Sequence, residues 1–140
     1  RGRVMAAGEF TATTVRRVFF DRDGAACFLC RRGLRFEDRG IGWSMHHRKP
    51  RGRGGVKGRG QEEFASAANA LTLCGSGTTG CHGWAEDERD EALERGVLIS
   101  RLGRGSEFDP TRGRVQRNDG TWWLLTESGR AIEVESKSWA

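Results

Sequence analysis

Long apolar runs are missing from this 140-residue sequence. No stretch approaches the roughly 20 residues that a helix needs to cross a bilayer, and the start carries neither the n-region nor the h-region of a secretory signal. A soluble, cytoplasmic protein with no membrane partner is therefore the expectation; the chain opens on Arg1 rather than methionine, which leaves a removed leader as the alternative. Repeats are absent, and only two prolines stand against 21 glycines. With 36% hydrophobic and 31% charged residues, this composition excludes a fibre or a disordered tail and fits one small, loop-rich domain with a modest core.

Charge is distributed unevenly. Acids are absent from "SMHHRKPRGRGGVKGRG", residues 44 to 60, where Arg48, Lys49, Arg51, Arg53, Lys57 and Arg59 stand unopposed. From 86 to 94 the balance reverses, with Glu86, Asp87, Glu88, Asp90, Glu91 and Glu94 against Arg89 alone. The formal net charge of +5 is thus the remainder of a basic stretch and an acidic one. A basic block suits phosphate contacts, and a solvated loop is the competing reading.

Local patterns give a coarse element map. "CFLCRRGLRFEDRGIGWSMHHRKP" reads as a Cys-x-x-Cys turn and a β-hairpin whose second strand carries Trp43 to Arg48. "QEEFASAANALTLC" places Phe64, Ala67, Ala68 and Leu71 at helical spacing, which predicts a short helix before Asn69. "AEDERDEALERG" has acids in its first turn, Arg95 in its last and Gly96 as a stop, so one helix is expected there. "VLISRL", the pair "GRVQRND" and "TWWLLTE" around Asp119-Gly120, and "AIEVE" read as strands, with Trp122 and Trp123 on opposite faces. Residues 11 to 24 fit either a strand or a helix.

Cysteines and histidines are few, four and three, and their placement is informative. Cys27 and Cys30 form C-x2-C, and Cys74 and Cys81 form C-x6-C across a glycine-rich loop. Two such turns supply four thiolates for a structural Zn2+, which would staple a small core. Two disulfides are the alternative, disfavoured by the lack of a secretory signal. On a strand His46 and His47 project to opposite sides, so they need different tasks, one holding a metal and the other taking a proton from water. His82 and Glu86, at i and i+4, share a helix face and could both reach a cation.

The motifs "CFLC", "MHHRKPRGRGG" and "NALTLCGSGTTGCHGW", followed by the acidic helix, resemble the HNH endonucleases, in particular small phage-encoded members, over residues 27 to about 100. The resemblance implies an α+β fold with a ββα-metal core and a four-cysteine zinc knuckle, to which the strand pattern after residue 100 adds C-terminal β-strands. The chain then divides into an N-terminal extension (1 to 20), a nuclease domain with its knuckle (21 to 100) and a β-rich extension of the same domain (101 to 140). His46 and His82 then become metal ligands, His47 the general base and Asn69 the residue that orients base and loop. Glu86 stands where some members carry a further histidine. A His-His-Glu set favours Mg2+ or Mn2+ at that position, with Ni2+ and Zn2+ as alternatives. Arg48, Lys49, Arg51 and Arg53 become a phosphate grip on DNA. The implied function is metal-dependent DNA endonuclease activity, nicking or of low specificity, beside the terminase or other phage packaging proteins. The alternative is a non-catalytic zinc-containing nucleic-acid-binding module or an accessory subunit of a packaging complex.

Overall fold

In chain order, helix α1 (Ala12–Arg16) leads into a π-helical turn (Arg17–Arg22), followed by strand β1 (Trp43–His47), helix α2 (Arg59–Ala65) and strand β2 (Ala70–Cys74). Helices α3 (Gly80–Asp87) and α4 (Arg89–Glu94) come next, and strands β3 (Val115–Gln116), β4 (Trp122–Leu125) and β5 (Ala131–Val134) end the described chain. The computed structural model describes residues 8–50 and 59–137, with residues 59–61 by backbone alone. The architecture is α+β with two small antiparallel sheets, β1-β2 and β3-β4-β5.

The strand ALTLC of β2 organises the molecule, because all five of its residues are buried. Both of its faces are covered, by α3 and by the π-helical turn. One core cluster gathers Phe28, Leu29, Leu71, Leu73, Ala85, Ala92, Val97, Val115 and Leu125; the other holds Phe10, Val15, Val18, Phe19, Trp43 and Ala70. The undecided segment 11 to 24 is helical: Thr11 caps α1 by accepting from the Thr14 amide at 3.1 Å, and Val15, Val18 and Phe19 face inward. The last residue of the π-helical turn, Arg22, donates to the carbonyls of Ala67 (3.1 Å) and Ala70 (2.7 Å) and pairs with buried Asp23, so this segment is tied directly to β2.

Three expectations are corrected. The partner of β1 is not the preceding segment but β2, with Trp43 opposite Cys74 and His47 opposite Ala70. Residues 27 to 42 are consumed by the Cys-x-x-Cys turn and by a turn in which the Asp38 carbonyl accepts from the amides of Ile41 (3.1 Å) and Gly42 (2.7 Å), leaving no strand to pair. The acidic helix is two helices, broken at Glu88 (φ −105°, ψ 60°). The break gives α4 its own N-terminus, where Asp90 and Glu91 in the first turn meet exposed amides. Residues 97 to 102 form no strand; the Val97 and Leu98 amides turn back to the Ala92 carbonyl, and the Ile99 amide donates to the Arg48 carbonyl at 2.8 Å.

The C-terminal sheet follows the sequence pattern. β3 and β4 pair across the Asp119-Gly120 turn, where Asp119 accepts from the Thr121 amide at 2.9 Å, and β5 adds to β4. Val115 and Leu125 bury into the main cluster. Trp123 packs against that cluster under the Arg117 guanidinium, 4.1 Å from the ring centroid. Among the described residues, no helix is long and apolar enough to cross a membrane.

Two candidate metal centres

Four thiols from two turns meet at one end of the β1-β2 ladder. Cys27 and Cys30 bracket the turn 27–30, Cys74 ends β2 and Cys81 lies in the first turn of α3, and the four sulfurs lie within 4.8 Å of one another. All four cysteines are free, so the disulfide alternative is not the arrangement seen. A tetrahedral site with metal–sulfur bonds of about 2.3 Å has edges of about 3.8 Å, and the Cys30–Cys74 separation is 3.8 Å. The Cys81 amide points at the Cys74 sulfur from 3.3 Å. A hydrogen bond from the Cys81 thiol draws Cys27 down to about 5, and the same contact pushes Cys81 up. The group could hold a structural metal ion such as zinc.

The glycine loop between Cys74 and Cys81 is required rather than merely loose. Gly75 and Gly80 both have positive φ, and a Cβ on either would collide with the backbone of the other end of the loop, at Thr79 and Cys74 respectively. Only this tight crossing returns Cys81 to the thiol cluster and starts α3 with His82 one residue further on.

The second centre lies toward the other end of the same ladder. His46 of β1 meets His82 and Glu86 of α3, with one donor atom from each within 4.8 Å of the others. The Nε2 of His46 lies 3.0 Å from the Val97 carbonyl, an acceptor only, so that nitrogen carries the hydrogen and Nδ1 keeps the lone pair. Burial draws His46 down to about 3, so the ring is neutral, as a ligand must be. His82 is also held below the ordinary histidine value by burial, opposed by the Glu86 carboxylate, whose oxygen is 3.9 Å from Nε2. Its Nδ1 is buried and lacks a hydrogen-bond partner, which fits a donor set completed by something other than protein.

His47 takes the opposite side of β1 from His46, as the alternation requires. Its ring stacks on Phe10 with centroids 4.0 Å apart, and its Nε2 lies 2.9 Å from the Gly8 carbonyl. Because β1 ends at His47, both histidines nevertheless border one open cleft of about 510 Å³, together with Pro50, His82, Glu86 and Arg89. Asn69, fully buried, does not line it. Its Oδ1 accepts from the Lys49 amide at 2.7 Å, and its Nδ2 donates to the carbonyls of Lys49 (3.1 Å) and Phe64 (3.0 Å). It therefore clamps the backbone just beyond the two histidines.

The phosphate grip needs correction at two positions. Arg48 is fully buried and donates to the carbonyls of Gly96, Ala68, Pro110 and Gly113 at 2.9–3.0 Å, so it ties four chain segments together rather than facing solvent. Lys49 is also buried, with Nζ 3.0 Å from the Phe108 carbonyl and 3.3 Å from Glu63. Arg51 and Arg53 lie outside the described residues.

In comparisons with protein families, curated proteins and solved structures, the chain matches none. Sequence reasoning missed the carbonyls of Val97 and Gly8 and the Phe10 ring. Any residue supplies a carbonyl, so no residue type marks those positions. Arg89, 3.8 Å from Glu86 at i+3, was legible in principle from helical spacing.

Proposed function

We propose that this protein is a metal-dependent DNA endonuclease of the HNH type, with β1, β2 and α3 as its ββα-metal unit and the four cysteines as its zinc knuckle. The observation that carries the reading is the convergence of His46, His82 and Glu86 from two elements while His47 borders the same cleft. A divalent cation held by those three residues supplies charge neutralisation for phosphodiester hydrolysis. A carboxylate beside two imidazoles favours Mg2+ or Mn2+ there.

The remaining chemistry belongs to the chain. With Nε2–H of His47 directed at the Gly8 carbonyl, the ring's basic nitrogen is Nδ1, which takes the proton of the attacking water as the new bond to phosphorus forms and the bond from phosphorus to the leaving 3′ oxygen breaks. Phe10 fixes the plane of that ring, and Asn69 fixes the backbone from which it projects. The thiol cluster sets the start of α3 and with it the position of His82. A place beside a phage terminase in genome packaging follows only from the motif resemblance, and a pull-down with packaging proteins tests it.

Incubating supercoiled plasmid with the purified protein, with EDTA, Mg2+, Mn2+, Ni2+ or Zn2+ in turn, tests the enzyme. Nicked or linear product with a divalent ion, and none with EDTA, is expected. No product with any ion would replace this reading by the non-catalytic zinc-containing nucleic-acid-binding module.

A further inference from the structure

With Arg48 and Lys49 withdrawn into the interior, the described surface must offer other cations if a phosphate backbone is to be held. A cleft of about 670 Å³ is lined by Arg112, Arg114 and Lys137, with the buried Arg48 beneath them, over an apolar floor that includes Leu93, Leu98 and Phe108. Glu107 is the one acid on that lining. Leu98 also lines the cleft of His46 and His47, so the two depressions meet at this side chain.

Arg112 and Lys137 are placed without being neutralised. Arg112 donates to the Ser106 hydroxyl at 3.2 Å, and the Lys137 ammonium donates to the Glu94 carbonyl at 2.7 Å. Both partners are uncharged oxygens, so the side chains are oriented while their full charge stays available to an anion. Arg114 donates to the Ser136 carbonyl at 3.1 Å. The scaffold beneath is firm. Gly113 and Gly96 sit where a Cβ would collide with the backbone of Glu107 and Arg114, and the Arg48 guanidinium holds the carbonyls of Gly96 and Gly113 together.

We propose that this cleft binds the nucleic-acid backbone on one side of the scissile phosphate, with Arg112 and Lys137 as phosphate contacts. The position of the scissile phosphate rests on the nuclease reading; the binding itself does not. Residues 101–140 thereby acquire a task, extending the substrate grip beyond the histidine site. Cations that contact phosphates raise affinity for all sequences alike and release counterions on binding.

The test is fluorescence anisotropy of a labelled 30-base-pair DNA with no added divalent ion, so that binding is read without cleavage. The double variant Arg112→Ala/Lys137→Ala is compared with Arg32→Ala/Arg130→Ala, which loses the same charge at exposed positions outside the cleft. The cleft variant is expected to bind about tenfold more weakly or worse and to flatten the slope of log K against log salt by about two, while the control keeps the wild-type slope. Arg112→Lys/Lys137→Arg, which keeps the charge, should restore the slope, and thermal unfolding of each variant shows that the fold stands. An unchanged slope in a folded cleft variant, or equal losses in cleft and control variants, overturns the proposal. Plasmid cleavage is scored separately. A protein that never cuts but loses its salt slope with the cleft variant keeps this site and loses the nuclease; one that cuts with the slope unchanged keeps the nuclease and loses this site.

Discussion

Cys81 and His82 are neighbours on one helix and belong to two different centres. The first joins a cluster of four sulfurs drawn from two turns; the second joins an imidazole from β1 and a carboxylate one turn further on. Successive helical residues point about 100° apart, so one helix serves both. The sulfur centre is filled from all four tetrahedral directions by protein, as a structural site is. The other has three donors, one of them an exposed carboxylate, and opens on a cleft, which leaves room for solvent and a phosphate. Two centres a residue apart thus differ in what they can do because one is closed and the other is not.

The sharpest way to break this comparison is at the sulfur centre. Cys74→Ser should abolish tight zinc binding and cost the protein its cooperative thermal transition, because metal binding and folding are coupled in small thiolate sites. Metal analysis of freshly purified wild type should find one tightly held zinc; a zinc-free protein with the same melting behaviour would remove the distinction between the centres.

At the open centre the fold should survive and chemistry should fail. His82→Ala is expected to lose divalent-ion affinity in calorimetric titration, with cleavage partly restored at high metal concentration. His47→Ala should retain ion and DNA binding yet cut at least about a hundredfold more slowly, since a positioned general base contributes about 10²–10⁴-fold. Wild-type cleavage by His47→Ala would dissociate that histidine from the reaction. Glu86→Ala should weaken the ion about tenfold, a milder form of His82→Ala, because its carboxylate is the most exposed of the three donors.

Acid should separate the centres least dramatically but most directly. His46 ionises near 3 in the folded protein and near 6.5 when exposed in the unfolded chain. Between those values the unfolded state binds a proton that the folded state does not, so stability contributed here is present above about pH 6.5 and is lost as pH falls toward 3. Denaturant titrations of the zinc-loaded protein with no further divalent ion added, at pH 7, 6 and 5.5, should show that fall, and His46→Gln should flatten it.

Part of this was legible in the residues themselves. The cysteine spacings pointed to one four-thiol group, the alternation of a strand set His46 and His47 apart, helical spacing joined His82 to Glu86, and the Asp119-Gly120 turn announced the C-terminal hairpin. Each of these rests on local geometry, a period of two or of 3.6, which a sequence carries by itself. Pairing, burial and charge neutralisation are different. Nothing within "MHHRKP" distinguishes a solvent-facing arginine from Arg48, which became a buried clasp only because the carbonyls of Gly96, Ala68, Pro110 and Gly113 arrive around it from distant segments. The partner of β1, the Val97 and Gly8 carbonyls behind the two histidines, and the cations of the second cleft were likewise decided by tertiary structure. A side chain's chemistry is written in its residue type, but its desolvation and its partners are set by whatever the rest of the chain packs against it.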